Sequence, residues 1–196
     1  MATTATISQV GEFPLISSMV GDLTMGQAVA LGPGDDGAVF QVDGSAVVST
    51  DVLVEEVHFR RRWSTATDVG RKAVAVNVSD IEAMGAVPVA LVVGFSAPGD
   101  LPASWAQEFM AGMAAEAQKA GVSVVGGDTT GGPVVSIAVT VIGQTAGMAP
   151  VRRDGAIPGD EVAVIGQLGL AAAGLVLLGR GFRSPRAVVA AQRCPE

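Results

Sequence analysis

The spacing of apolar and polar residues predicts helices and strands that alternate along most of the chain. Residues 67–84 form the longest helical pattern, which is rich in alanine and amphipathic, and Gly85 is expected to end it. A second helix is predicted over residues 101–120, with Pro102 at its start. Residues 87–95 are nearly all apolar, which is typical of a strand covered on both faces. This alternation of helices and strands indicates an α/β protein.

The segment around Asp43 and Gly44 has the pattern of a β-hairpin. Apolar residues at 38–42 and 46–54 would form its two strands, and the Asp-Gly pair would form its turn. The pattern therefore places these two strands side by side in one sheet.

Shorter segments complete the predicted secondary structure. A helix is expected over residues 11–20, where Phe13, Ile16 and Val20 recur at helical spacing. Residues 1–10 are small and polar and are expected to form a loose tail. Further strands are predicted at residues 28–31, 122–125, 134–142 and 161–165, and further helices at residues 170–178 and 185–192.

A change of composition near residue 148 predicts a domain boundary. The segment 147–159 contains prolines, glycines and two arginines and has no apolar periodicity. We therefore predict one domain over residues 1–148 and the start of a second over residues 149–196. The second unit is expected to be too short to enclose a core of its own.

Composition narrows the class of protein. The chain has 196 residues, 49% of them hydrophobic, and a net charge of −7 from 19 acids and 12 bases. An acidic surface argues against nucleic acid as a partner, because phosphate backbones attract basic faces. The lone Cys194 excludes an internal disulfide framework. No signal peptide or membrane span is recognised, so we expect no membrane association and a cytoplasmic location.

A loop of glycine, proline and aspartate over residues 32–39 is the first candidate site. It carries the adjacent carboxylates of Asp35 and Asp36 and is followed by an apolar run. Such a loop brings its backbone close to a ligand, and paired carboxylates suit a hard cation such as Mg²⁺. The alternative is an ordinary surface turn with solvated aspartates.

Three more acidic positions resemble this loop in their surroundings. Thr50 and Asp51 are expected to end an apolar strand, where α/β proteins often bind ligands. Asp80 lies in the long predicted helix among apolar residues, so it needs a cation or hydrogen-bond donors. Gly127 and Asp128 follow a buried strand, where glycine lets backbone N–H groups approach a phosphate. Each position alone has an ordinary structural reading, but together they indicate a metal–phosphate centre.

Few histidine and arginine side chains are candidates for binding an anion. His58 is the only histidine; it is either a structural residue or a donor to an anionic substrate. Arg60 to Arg62 are interpreted as a solvated run, whereas the pair Arg152 and Arg153 lies in a loop where an arginine could clamp a phosphate. No Gly-rich loop ending in Lys-Ser/Thr is present, and one cysteine with one histidine excludes a Cys/His zinc site.

Taken in order, these motifs resemble the thiamine-monophosphate kinase family. The matching segments are Gly11-Glu12-Phe13, Gly34-Asp35-Asp36, Ser49-Thr50-Asp51, His58-Phe59, Lys72 to Asp80, Ala83 to Ala86, Gly126 to Thr130, Arg153-Asp154-Gly155 and Pro158-Gly159-Asp160. They cover nearly the whole chain, and their order is more specific than any one of them.

The resemblance implies a mixed β-sheet with helices on one face, the N-terminal domain of the aminoimidazole-ribonucleotide synthetase-like fold. It implies transfer of the γ-phosphoryl group of ATP to thiamine monophosphate, assisted by several Mg²⁺ ions and without a covalent nucleophile. It also implies a homodimer in which strands of both subunits share a β-barrel. The residues concerned are Asp36, Thr50, Asp51, Asp80 and Asp128 for metal, His58 for substrate, and Gly127, Asp128 and Arg153 for ATP.

Two departures from the family pattern stand out. Gly131 occupies a position where the family usually has arginine, and the second domain's Asp-x-Ser-Asp-Gly motif is not found in the sequence. Two other readings therefore stay open. One is a truncated, non-catalytic nucleotide-binding and dimerisation module, and the other is another ATP-using synthetase of the same superfamily.

Overall fold

In the computed structural model, which describes residues 5–194, a four-stranded mixed sheet lies against two long helices. A short two-stranded sheet and four shorter helices complete the described part. In chain order the elements are α1 (Ile7–Val10), α2 (Glu12–Val20), β1 (Val29–Leu31), β2 (Val39–Phe40), β3 (Ala46–Val54), α3 (Ala66–Ala83), β4 (Val87–Ala97), α4 (Ala103–Ala120), β5 (Ser123–Gly131), β6 (Ser136–Gln144), α5 (Leu170–Gly179) and α6 (Arg186–Arg193).

The large sheet has the strand order β3-β6-β4-β5, so that β3 and β5 are its edges. The strands β3 and β4 run antiparallel to β6, whereas β4 and β5 are parallel and are joined by α4. A parallel pair requires such a crossover, because a tight turn can join only antiparallel strands. The predicted α/β class with a mixed sheet is confirmed.

Local sequence signals set the ends of α3. The Thr65 hydroxyl accepts a hydrogen bond of 3.1 Å from the Asp68 N–H, and the Asp68 carboxylate accepts one of 2.9 Å from the Thr65 N–H. This reciprocal capping satisfies two N–H groups at the helix start. Gly85, with a φ of +68°, follows the C-terminal end. The helix predicted over residues 67–84 is therefore confirmed, displaced by one residue.

Helices α3 and α4 pack closely because glycine occupies their crossing. A Cβ atom on Gly70 would overlap the main-chain carbonyl of Phe109, and one on Gly112 would overlap the main chain of Thr67. Both helices bury apolar side chains against one face of the sheet. Among the fully buried core residues are Leu15, Val69, Val74, Ile81, Leu91, Phe109, Met113, Ile137 and Val139.

The opposite face of the sheet is only partly covered. Residues of the β1–β2 segment, among them Val29 and Phe40, pack against Ala90 and Val125 at one end. Elsewhere on this face three valines remain exposed: Val48 at 62%, Val52 at 49% and Val92 at 38%.

The predicted β-hairpin around Asp43 and Gly44 is wrong. Strand β2 pairs with β1, whereas β3 pairs over its whole length with β6. The nine residues of β6 offer β3 a continuous ladder, which a two-residue β2 cannot match. Gly44 still makes a bend with φ of +77°, and the Asp43 N–H donates to the side-chain oxygen of Gln144 at 2.8 Å. The segment is thus a corner between two sheets.

The N-terminal predictions also need correction. Residues 7–10 form a short helix, tied by the Ile7 N–H to the Leu101 carbonyl at 2.9 Å, whereas residues 1–4 lie outside the described part. The helix predicted over residues 11–20 is present as α2. Its buried residues are Leu15 and Met19, whereas Phe13, one of the residues noted at helical spacing, is 81% exposed. Helix α2 packs against α4.

Of the last fifty residues, the described part is irregular outside two helices, and a predicted strand is missing. Residues 161–165 form no strand, and Val162 and Ile165 are 94% and 99% exposed, because no described strand pairs with them. The two predicted helices are present as α5 and α6, and Leu178 and Val189 form a small core with Trp63. The division of the chain at residue 148 stays a prediction.

Among the described helices, none is both long and apolar enough to cross a membrane.

Candidate functional site

A pocket of about 440 Å³ opens beside the edge strand β5. Three segments meet there: the acidic loop between β1 and β2, the middle of β5, and one side of α2. The lining includes Phe13, Ile16, Val20, Gly34, Asp35, Asp36, Gly126, Gly127, Asp128 and Thr129. The structure therefore brings Asp36 and Asp128 to a single pocket with an acidic, glycine-rich part and an apolar part.

The course of β5 sets the positions of its glycines and aspartate. The strand was expected to end at residue 125, but it continues to Gly131, and an irregularity at Leu91/Val92 shifts its register. Beyond that point Gly127 lies opposite Val93, and Asp128 lies opposite Gly94. A Cβ atom on Gly127 would overlap the Val93 carbonyl, so glycine is required for this close approach. Asp128 is exposed within the strand rather than after it.

The acidic loop is held by its own backbone. The Asp36 N–H donates to the carboxylate of Asp35 at 2.9 Å, and Gly34 has a φ of +127°, which glycine adopts readily. Both aspartates are exposed. Among the described residues, no hydrogen-bond donor or cation contacts the Asp36 or Asp128 carboxylate. Their oxygens are thus available to a ligand.

A second group of predicted site residues lies where β3 meets α3. The Asp80 carboxylate accepts a hydrogen bond of 2.8 Å from the Ser49 hydroxyl. The buried Asn77 side chain accepts a bond of 3.2 Å from the Asp51 N–H and donates one to the Ala73 carbonyl. Asp51 lies in the middle of β3, not at its end as expected. The requirement that Asp80 find a donor is met by Ser49.

Thr50 belongs to the same strand but contacts its neighbour β6. Its hydroxyl donates to the Val139 carbonyl at 3.0 Å and accepts a bond of 3.2 Å from the Thr140 hydroxyl. Thr50 and Thr140 are direct cross-strand partners. Thr50 thus lies between the exposed valines of the open sheet face.

The two groups are separated across the sheet. Asp51, Val139, Val93 and Gly127 follow one another in a single cross-strand row. Three strand spacings of about 4.8 Å place the ends of this row about 14 Å apart. Within residues 5–194, no three side chains of His, Cys, Asp or Glu stand close enough to hold one metal ion. The structure therefore joins Asp36 with Asp128 but leaves Thr50, Asp51 and Asp80 outside that pocket.

His58 is exposed in the turn that follows β3. Its Nδ1 atom accepts a hydrogen bond of 3.0 Å from the Val54 N–H, and its carbonyl accepts one of 2.9 Å from the Lys72 ammonium. The sequence suggested that the neighbouring arginines form a solvated run, but in the structure they have partners. Arg60 and Arg62 pair with Glu56, and both guanidinium groups lie over the Trp63 ring.

Arg153 lies near the opposite end of the sheet. It is exposed, and two residues earlier the Val151 N–H donates to the Met84 carbonyl at 2.8 Å. Met84 precedes the start of β4 at Val87, whereas Asp128 lies opposite Gly94 further along that strand. At about 3.3 Å per residue, Val87 and Gly94 are roughly 23 Å apart along β4. The structure does not bring Arg153 into the pocket.

The pKa values of Lys72 and Glu116 are shifted, and Lys72 is the one that contacts a candidate site residue. Burial lowers the pKa of Lys72. Burial also opposes ionisation of Glu116, but hydrogen bonds from Arg71 and Lys119 outweigh it, so the pKa of Glu116 lies below its usual range. Lys72 contacts the candidate substrate residue His58, whereas Glu116 links α4 to α3.

The apolar wall of the pocket was missed by sequence reasoning. Phe13, Ile16 and Val20 were noted from the sequence only for their helical spacing; in the structure they line the pocket. Helix α2 carries a second apolar stripe, Leu15 and Met19, and this one is buried. A surface helix needs only one such stripe for its core. The presence of two was the signal that one of them faces something else.

Comparison with known proteins gives consistent matches. The N-terminal domain of AIR synthase related proteins matches residues 34–145. Thiamine-monophosphate kinase of Mycobacterium tuberculosis is 49% identical over 178 residues, 90% of this chain and 54% of that protein. The crystal structure of thiamine-monophosphate kinase from Stenotrophomonas maltophilia has a TM-score of 0.72 and 37% identity, covering 85% of this chain and 51% of that one.

A further solved structure, AaThiL complexed with AMPPCP and TMP, has a TM-score of 0.72 and 31% identity. It covers 99% of this chain and 62% of that one. The hydrogenase maturation protein HypE of E. coli, at 20% identity and a TM-score of 0.70, shares the fold alone. The chain spans about half the length of the curated relatives it matches.

Proposed function

Because the chain belongs to the AIR synthase related protein family through its N-terminal domain, we propose that it is the nucleotide-binding part of a thiamine-monophosphate kinase. The proposed reaction moves the γ-phosphoryl group of ATP to the phosphate of thiamine monophosphate, giving thiamine diphosphate. Its 49% identity to a protein of that name and its likeness to a structure holding AMPPCP and TMP support this choice over another synthetase of the superfamily.

The observation that carries the proposal is the pocket shared by Asp36 and Asp128. Its glycine-rich side, Gly126 and Gly127 on an edge strand, leaves backbone groups accessible to phosphate oxygens. Its apolar side, formed by α2, suits a flat ring. A polyphosphate and an aromatic base could therefore be accommodated together, although the chain has few lysines.

The residues present fit Mg²⁺. Asp36 and Asp128 offer exposed carboxylate oxygens that other described residues do not engage, and oxygen is the ligand that this ion prefers. When bound, Mg²⁺ would neutralise phosphate charge, which is the main requirement of phosphoryl transfer. We further propose Thr50, Asp51 and Asp80 as ligands toward the acceptor side; of these, Asp51 lies about 14 Å across the sheet from Gly127.

His58 is proposed to bind the phosphate of thiamine monophosphate. With Nδ1 accepting from Val54, the ring carries its proton on Nε2 and can donate from that exposed atom. Gly127, Asp128 and Arg153 are proposed to bind ATP; Arg153 would reach the nucleotide only after movement of the exposed segment that carries it. Catalysis would then consist of positioning and charge neutralisation, without a covalent nucleophile.

We propose that two copies pair through the open face of the sheet, as a shared β-barrel. Val48, Val52 and Val92 are exposed there around Thr50 and Thr140. Two edge strands, β3 and β5, also offer unpaired backbone groups that a second copy could satisfy. The lone Cys194 and the phosphorylated substrates are in keeping with a cytoplasmic location.

Single-turnover formation of ADP from Mg²⁺-ATP, with and without thiamine monophosphate, tests the proposed function. A kinase forms ADP and thiamine diphosphate only when the acceptor is present. ADP formed equally without the acceptor would mean that water takes the phosphoryl group and would contradict transfer to thiamine monophosphate. ATP binding without any ADP under either condition would favour a non-catalytic module and contradict activity of this chain.

A further inference from the structure

The turn that follows β3 holds His58 in one orientation. The Val54 N–H donates to Nδ1 of the ring at 3.0 Å, and the His58 N–H donates back to the Val54 carbonyl at 2.8 Å. Glu56 adopts a left-handed conformation with φ of +65°, and its N–H donates to the Phe59 carbonyl at 2.7 Å. The ring is therefore fixed through main-chain atoms of its own turn.

Lys72 connects this turn to helix α3. Its ammonium donates a hydrogen bond of 2.9 Å to the main-chain carbonyl of His58. The side chain is half-buried, and burial lowers the pKa of Lys72, so the charge lies in a partly desolvated environment. A charged donor to a carbonyl is stronger there than in water.

We propose that Lys72 is a positioning residue, which orients His58 toward the phosphate of thiamine monophosphate without contacting that substrate. The inference rests on the proposed function, since it takes His58 as the acceptor-binding residue. Its physical basis is that the bonded carbonyl belongs to His58 itself. Displacing that carbonyl turns the His58 main chain and so also displaces the Val54–His58 bonds that fix the ring.

Other charged groups of the turn are engaged elsewhere. Glu55 pairs with Arg61, and Glu56 pairs with Arg60 and Arg62. Phe59 is buried and packs near Trp105, which anchors the far side of the turn in the core. Lys72 instead bonds the main-chain carbonyl of the residue that carries the imidazole.

Magnetic resonance of the imidazole nitrogens tests the positioning directly. Because the chain has one histidine, long-range ¹H–¹⁵N spectra report on His58 alone. In the wild-type chain we expect an Nδ1 acceptor and a protonated Nε2. In Lys72→Met we expect the ¹⁵N chemical shifts of His58 to move toward those of a free imidazole, which is a mixture of tautomers. In Lys72→Arg, which keeps a charged donor, we expect chemical shifts close to those of the wild-type chain.

The chain supplies a matched control. Lys119 is the only other lysine, and its ammonium bonds Glu116 on its own helix, so Lys119→Met should leave the His58 signals unchanged. Calorimetry on the same samples should show about tenfold weaker binding of thiamine monophosphate to Lys72→Met. Binding of AMPPCP should stay within about twofold of wild type, since Lys72 is not assigned to the nucleotide.

The outcomes separate this inference from the proposed function. Wild-type imidazole signals in a folded Lys72→Met chain would overturn the positioning role. A wild-type chain that binds AMPPCP but no thiamine monophosphate would contradict the proposed function, while the imidazole signals would still decide whether Lys72 orients His58. If Lys72→Met does not fold, Lys72→Gln takes its place in the same measurements.

Discussion

The hydroxyl of Ser49 donates a hydrogen bond of 2.8 Å to the carboxylate of Asp80 and so joins the edge strand β3 to helix α3. Both residues are half-buried, so the bond is partly shielded from water. The same contact fixes the direction of a carboxylate that we propose as a metal ligand. Loss of this bond should therefore lower both the stability of the chain and its affinity for metal.

Ser49→Ala is expected to lower the free energy of unfolding by about 1–2 kcal/mol, because a hydrogen bond to a charged group is lost. Urea unfolding followed by circular dichroism would measure it. Ser79→Ala is the matched control, since the exposed Ser79 hydroxyl bonds only the Val76 carbonyl within α3. An equal loss of unfolding free energy in Ser79→Ala would show that the Ser49–Asp80 bond contributes no more than a hydrogen bond at the surface.

Stability should depend on pH through Glu116. Its pKa is lowered in the folded chain, so this residue contributes its full stabilisation above the ordinary glutamate pKa of about 4.3. The contribution is lost as the pH falls through the lowered pKa. Glu116→Gln should cost about 1–2 kcal/mol at pH 7 and flatten this acidic limb.

Thermal melts of the wild-type and Glu116→Gln chains between pH 3 and pH 7, roughly the range of carboxylate titration, would follow this dependence. The exposed Glu108 lies on the same helix, and Glu108→Gln should leave the profile unchanged. An unaltered acidic limb in Glu116→Gln would contradict the assignment of the buried ion pair.

Neighbouring glycines of β5 should differ in their tolerance of a methyl group. In Gly127→Ala the new Cβ would overlap the Val93 carbonyl, whereas a Cβ on Gly126 meets nothing within 4 Å. We expect Gly127→Ala to lower stability by about 2 kcal/mol, as overpacking commonly does, and Gly126→Ala to stay within about 0.5 kcal/mol. Equal denaturation midpoints for the two variants would refute the described course of β5.

The open sheet face should mediate dimerisation. Val48→Lys would place an unpaired charge in the proposed interface and weaken the dimer by roughly 3 kcal/mol, about a hundredfold in the dissociation constant. Sedimentation of the wild-type chain should show a dimer at micromolar concentration, and Val48→Lys should show a monomer. Val162→Lys, on an exposed residue outside the sheet, is the control. A wild-type monomer would rule out the shared barrel.

Local signals explain which elements could be predicted. The helix α3 was predictable because its periodicity lies within one segment and Gly85 marks its end. The pairing of β3 was not, because Asp43 and Gly44 are compatible with a hairpin turn and with a corner. The choice depends on the ladder that β6 offers from far along the chain. Register and partner are long-range properties that a turn motif does not contain.

The same difference between local and long-range signals applies to the candidate site. The acidic and glycine motifs indicated chemistry at Asp36 and Asp128, but only the fold shows that both line one pocket. The place of Phe13 in the pocket wall was not predicted, because helical spacing alone does not say which of two apolar stripes is buried. Lys72 could be noted as a rare lysine, yet its contact with the His58 carbonyl requires the turn after β3 to fold back on α3.

Calorimetric titration of AMPPCP with Mg²⁺ into three forms of the chain tests the central claim most directly. Asp128→Asn should weaken Mg²⁺-dependent binding by about tenfold or more, because a carboxylate that we propose as a metal ligand is removed from the pocket. Asp43→Asn should bind like the wild-type chain, since only main-chain atoms of Asp43 bond at its corner. Equal affinities in all three forms would contradict nucleotide binding in this pocket.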